Sequence, residues 1–135
     1  MQLPAVLKAK DLGYEVHCFA WRDGAVCEGC ADYFYPISIV EKEDILRECE
    51  RIGIDGITTI ASDVAVLTVN YVASHLGLIS NPDGYSDITT NKYLMRECFA
   101  KNDIPSPRYA IANKDNVCVK ELKYPLIVKP TDRSG

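Results

Sequence analysis

Leu3-Pro4-Ala5-Val6-Leu7-Lys8-Ala9-Lys10-Asp11-Leu12-Gly13-Tyr14-Glu15-Val16-His17-Cys18-Phe19 reads as helix, glycine, strand. Leu3, Val6, Leu7 and Leu12 recur at the spacing of one helix face, and Gly13 is a C-terminal stop. Pro4 suits the first turn, where a missing N–H costs nothing. Glu15 to Phe19 is short, partly apolar and extended in pattern. These are the second and third parts of a βαβ unit, and no first strand precedes Gln2.

The same alternation continues outward. Trp21 to Cys30, with Asp23-Gly24 and Gly29, reads as a loop, and Tyr33-Phe34-Tyr35 as a short aromatic strand closed by Pro36. Glu41 to Arg51 is an amphipathic helix with Ile45, Leu46, Cys49 and Ile52 on one face, stopped by Gly53. Ile57-Thr58-Thr59-Ile60 is expected to be a buried strand, and Ser62 a good N-cap for a helix from Asp63 to about Leu76. That helix is apolar nearly all round, the mark of an element sandwiched between a sheet and another layer.

After the turn Asn81-Pro82-Asp83-Gly84, a charged helix spans Asn91 to Lys101 with Leu94, Met95, Cys98 and Phe99 as its expected buried stripe. Ile104-Pro105-Ser106-Pro107 ends it. Tyr109 to Ile111 suggests a strand, Asp115 to Leu122 a short weak helix, and Leu126-Ile127-Val128 a buried strand running into Lys129. Strands alternating with helices predict an α/β fold with a mostly parallel sheet. The prolines divide it into an α/β unit, 1–104, and the beginning of another subdomain, 105–135.

Composition narrows the function classes. The 135 residues are 47% hydrophobic and 25% charged, enough for one core but not two full ones, and too apolar for disorder. No apolar run approaches the roughly 18 residues of a membrane span, and no secretory segment opens the chain. A net charge of −4 without a basic cluster argues against nucleic acid as a partner. The six cysteines lie mostly within apolar patterns, where a thiol behaves as a small hydrophobe, so the simpler reading is a reduced, cytoplasmic protein. The chain starts without its first strand and stops inside a Ser-Gly loop, and is read as a fragment of a longer protein.

Four places could carry chemistry. Lys129 ends an apolar strand pattern and is followed by Pro130-Thr131-Asp132-Arg133-Ser134-Gly135, where backbone N–H groups could wrap a phosphate. A solvated or salt-bridged lysine fits that position equally well. Lys92 opens a helix, where the macrodipole disfavours a cation; solvent or a bound anion would each compensate it. Ser62-Asp63 follows the Ile57–Ile60 pattern at the strand end where open α/β sheets collect ligands, yet the pair is also ordinary helix initiation. Cys27-Glu28-Gly29-Cys30 has zinc or redox spacing, but lacks the second ligand pair of a structural zinc site and does not open a helix after a strand. His17 and His75 are isolated and read as structural.

Taken in order, several segments resemble the N-terminal portion of an ATP-grasp ligase. They are Gln2-Leu3-Pro4 to Gly13-Tyr14, Asp55-Gly56-Ile57 to Ser62-Asp63, Leu76-Gly77-Leu78 to Asn81-Pro82, Asn91-Lys92 to Arg96, Ile104-Pro105-Ser106-Pro107, and Tyr124-Pro125-Leu126-Ile127-Val128-Lys129-Pro130. The resemblance covers nearly the whole chain and is nearest to carbamoyl-phosphate-synthase-like and biotin-carboxylase-like members. It implies a Rossmann-like pre-ATP-grasp domain with a parallel sheet and flanking helices, followed by the start of the small lid subdomain. It also implies an enzyme that uses ATP and Mg²⁺ to convert a small-molecule carboxylate into an acylphosphate for attack by a nucleophile.

By position, Lys92 and Lys129 match the family's two lysines that reach the nucleotide, and Ser134 and Gly135 match the opening of its glycine-rich loop. Ser62 and Asp63 are candidates for substrate contact. The family's first strand and its acidic Mg²⁺ ligands are missing, so this stretch alone holds no catalytic or metal-binding residue and should be inactive. A sheet without that strand leaves a gap beside Glu15–Phe19 that invites a homo-oligomeric or swapped arrangement. The competing expectation is a non-catalytic α/β module that binds or senses a small ligand at Ser62-Asp63.

Overall fold

The structure, a computed structural model, describes residues 2–82, 84–115, 119 and 122–132. The chain divides into two compact units, residues 1–83 and 84–135. Among the described residues the fold is a small α/β arrangement of five α-helices and one two-stranded parallel sheet.

In the first unit, α1 (Leu3–Asp11) leads through Gly13, whose φ of +84° only glycine adopts freely, into β1 (His17–Phe19). A 3₁₀ turn, Val26–Gly29, interrupts the expected loop before β2 (Tyr33–Tyr35). The strands run parallel with His17 opposite Tyr33, Cys18 opposite Phe34 and Phe19 opposite Tyr35. His17, Tyr33, Phe19 and Tyr35 therefore share a face, and their rings stack.

Next come α2 (Lys42–Ile52) and α3 (Asp63–His75). The α2 stripe behaves as its periodicity predicts, with Ile45 and Cys49 buried against Val72 of α3. Phe19, Ile37, Leu46, Ile54, Ile57, Tyr71 and Leu76 close around this cluster. Gly53 takes the left-handed conformation at φ +73°, and its N–H donates to the Cys49 carbonyl at 2.9 Å. Thr68 Oγ1 ties α3 to the approach of α2 by donating to the Ile39 carbonyl at 2.6 Å.

Two expectations fail here. Ile57–Ile60 joins no strand ladder; Ile57 packs on the core, while Ile60 is exposed. Its backbone is gripped by one side chain. Gln2 Oε1 accepts from the Ile60 N–H at 3.0 Å, and Gln2 Nε2 donates to the Ile60 carbonyl and to Thr59 Oγ1. A carboxamide here supplies the donor and acceptor that a neighbouring strand would present. Nor is α3 sandwiched: Ala65, Thr68, Asn70, Val72 and Ala73 are buried, whereas Val64 and Leu67 face solvent.

The second unit opens with α4 (Ser86–Thr90), a short helix with no apolar period to announce it, and continues into α5 (Lys92–Lys101). No α5 side chain is fully buried: Leu94 is exposed, and Met95, Cys98 and Phe99 are half-buried. The segment after α5 is held against the helix. Arg96 Nη1 donates to Ser106 Oγ at 3.0 Å, and the Tyr109 hydroxyl donates to Glu97 Oε1 at 2.6 Å. The helix α5 ends at Lys101, three residues before Ile104-Pro105.

Tyr109–Ile111 forms no strand, and the described residues of the expected 115–122 helix are not helical. Leu126-Ile127-Val128 is likewise neither paired nor buried, with Ile127 85% and Val128 92% exposed. An apolar, β-branched run becomes a buried strand only when neighbouring strands cover it, and none does so among the described residues.

Candidate functional site

The lysines singled out by sequence both lie in the second unit. Asn91 caps α5: its Oδ1 accepts from the Tyr93 N–H at 3.0 Å and the Leu94 N–H at 3.1 Å. The Met95 N–H donates to the Asn91 carbonyl at 2.9 Å. The remaining first-turn donor, the Lys92 N–H, points across the unit to the Thr131 carbonyl at 2.7 Å.

This bond sets the geometry of the site. Thr131 is two residues beyond Lys129, a backbone span of at most about 7 Å, so the bond ties the Lys129 segment to the start of α5. Lys92 is half-buried and Lys129 exposed. The arrangement has a chemical consequence. With every first-turn N–H of α5 already bonded within the protein, an anion at this helix start would be met by ammonium groups rather than by backbone donors.

Ser134 and Gly135, the candidate start of a phosphate loop, lie outside the described residues. Thr131 and Asp132 are described, the first half-buried and the second exposed. Thr131 escaped the sequence reading because its role is carried by a carbonyl, which every residue has. Asn91 could have been found: an asparagine immediately before a helical period is a standard cap signal. Among the described residues no three of His, Cys, Asp and Glu converge to hold a metal ion.

Ser62 and Asp63 belong to the first unit. Ser62 occupies the N-cap position of α3 in extended conformation, but its hydroxyl makes no capping bond, contrary to expectation. Ala61 before it is left-handed at φ +54°, a turn that aims the following residues into the helix. Asp63 is exposed in the first turn, where a carboxylate complements the helix dipole.

The cysteine spacing resolves differently from a CxxC site. Cys27 turns inward from the 3₁₀ turn and is buried beside Cys18. Burial, with Cys27 as neighbour, pushes the Cys18 thiol up to about 11. Cys30 is half-buried, and Cys18, Cys27, Cys30, Cys49 and Cys98 are all free thiols. His75 packs on Tyr71 and bonds its carbonyl at 2.7 Å, a contact within one helix.

No family model, curated protein or solved structure matches this chain. Among the described residues, no helix is long and apolar enough to cross a membrane.

Proposed function

We propose that this chain is the front portion of an ATP-grasp carboxylate ligase, with a Rossmann-like first domain and the start of the nucleotide-binding lid. The observation that carries the reading is the Lys92–Thr131 backbone bond, which keeps the Lys92 and Lys129 segments together in one compact unit. Two ammonium groups on separate segments suit an extended polyanion better than a single phosphate. Bound there, ATP supplies a transferable phosphoryl group, and the lysines offset the negative charge on its phosphate oxygens. The α5 start, with its own donors satisfied, holds Lys92 in place. Lys129, on an exposed segment, is free of a rigid strand and can follow the nucleotide as it binds. The carboxylate substrate, its attacking nucleophile and the residues that hold Mg²⁺ belong to parts of the enzyme outside this stretch.

Titration of a fluorescent ATP analogue into the product of the complete open reading frame tests this. Lys92→Ala and Lys129→Ala each weaken binding by about tenfold or more, the loss expected for a charge-assisted hydrogen bond. Wild-type affinity in both variants removes the lysines from the site. Absence of ATP binding by the wild-type protein leaves the non-catalytic binding module at Ser62-Asp63 as the surviving reading.

A further inference from the structure

The first unit contains an open cleft of about 570 Å³ lined by Lys10, Gly13, Tyr14, Glu15, Asp32 and Tyr33. Lys10 does not present a free charge to it, because its Nζ lies 2.7 Å from Asp32 Oδ1, and Asp32 Oδ2 also accepts from the Val16 N–H at 2.9 Å. That pair is internally neutral. Beside it stands Glu15, whose carboxylate is 65% exposed and whose Oε1 lies 2.9 Å from His17 Nε2.

The histidine is held from its other side as well, its Nδ1 lying 3.0 Å from the Tyr35 hydroxyl. Glu15 is therefore oriented by a ring that is itself held in place. Around it stand two phenol rings, Tyr14 at 67% and Tyr33 at 51% exposure, with Tyr33 backed by the His17 ring at 4.7 Å. Exposed aromatic faces beside one oriented carboxylate are the ingredients that recognise an organic cation.

We propose that the Tyr14–Glu15–Tyr33 cleft binds a small organic cation, an alkylated or primary ammonium. The positive group rests against the two aromatic rings and Glu15, and the neutral Lys10–Asp32 pair walls one side. This site is independent of the nucleotide reading and lies wholly in the other unit.

The test is a titration of the full chain with choline chloride, followed through the backbone amide NMR signals of Gly13, Tyr14, Glu15 and Tyr33. Dimethylbutanol, the uncharged carbon isostere of choline, is the matched control, and sodium chloride controls for ionic strength. Choline should shift these signals saturably, and the controls should not. Tyr14→Leu and Glu15→Gln should each weaken choline binding by about fivefold, the scale of one exposed cation–π or charge contact. Both positions are exposed, and glutamine retains the acceptor for His17, so both variants keep the fold. Equal binding of dimethylbutanol, shifts that do not saturate, or wild-type affinity in both variants would each overturn the proposal.

Discussion

Lys92 and Thr131 are joined by a 2.7 Å backbone hydrogen bond, although almost the whole of the second unit separates them in sequence. The bond consumes a helix donor that would otherwise seek water or an anion, and in doing so brings the chain on either side of Thr131 to the start of α5. The proposed nucleotide site would depend on the integrity of the cap as much as on its lysines.

The first prediction follows from that dependence. Asn91→Ala removes the acceptor for two first-turn N–H groups and should cost about 1 kcal/mol of stability. Because the same turn positions Lys92, ATP affinity should fall together with the thermal midpoint. Asn91→Asp, which keeps the acceptor, should restore both. A variant that loses stability but binds ATP normally would separate the cap from the site.

Gln2 stands where a strand would be expected, and its carboxamide occupies both backbone groups of Ile60. Gln2→Ala should lower stability by about 1 kcal/mol, the net worth of an ordinary hydrogen bond. Amide hydrogen exchange at Ile60 should accelerate far more than at Cys49, which lies in the buried core. Uniform acceleration across the first unit would mean that Gln2 supports the whole unit rather than this segment.

The thiols give a pH prediction. Burial holds Cys18 and Cys49 up to about 11, against 9.0 for an unburied cysteine. The folded chain thus keeps these protons to a higher pH than the unfolded chain does. Stability from this source is intact below the unfolded value and declines as pH climbs from about 9 toward 11. Iodoacetamide at neutral pH should modify Cys30 well before Cys18 or Cys49, read by peptide mass spectrometry. Equal rates at all three would contradict the burial.

Asp32 gives the opposite limb. The Lys10 ammonium, and then the Val16 N–H, hold its carboxyl below the ordinary value of 3.8. Its contribution is present above that value and disappears as pH falls through the lowered one. Asp32→Asn should therefore flatten the acid side of a stability profile measured by denaturant unfolding, leaving the neutral region little changed in slope.

What could be read from the sequence was local. The α2 stripe of Ile45, Leu46 and Cys49, the glycine stops at Gly13 and Gly53, and the paired aromatic strand at Tyr33–Tyr35 all follow from periodicity and backbone freedom. The errors came where structure depends on a distant partner. Ile57–Ile60 and Leu126–Val128 have the composition of buried strands, but strand burial is decided by neighbours, and these segments have none among the described residues. The site divides along the same line. Lys92 and Lys129 stand out as candidates by their positions at a helix start and after an apolar run, while the Thr131 carbonyl that bonds the Lys92 N–H leaves no mark in sequence.

The proposed ATP site requires that Lys92 and Lys129 share one nucleotide. An ATP analogue whose terminal phosphate carries a reactive acyl group transfers that group to any lysine amine beside the phosphates, and peptide mass spectrometry locates the label. Labelling of both Lys92 and Lys129, suppressed together by excess ATP, is the predicted result. Label found on neither lysine, or label on either that ATP does not suppress, would contradict it.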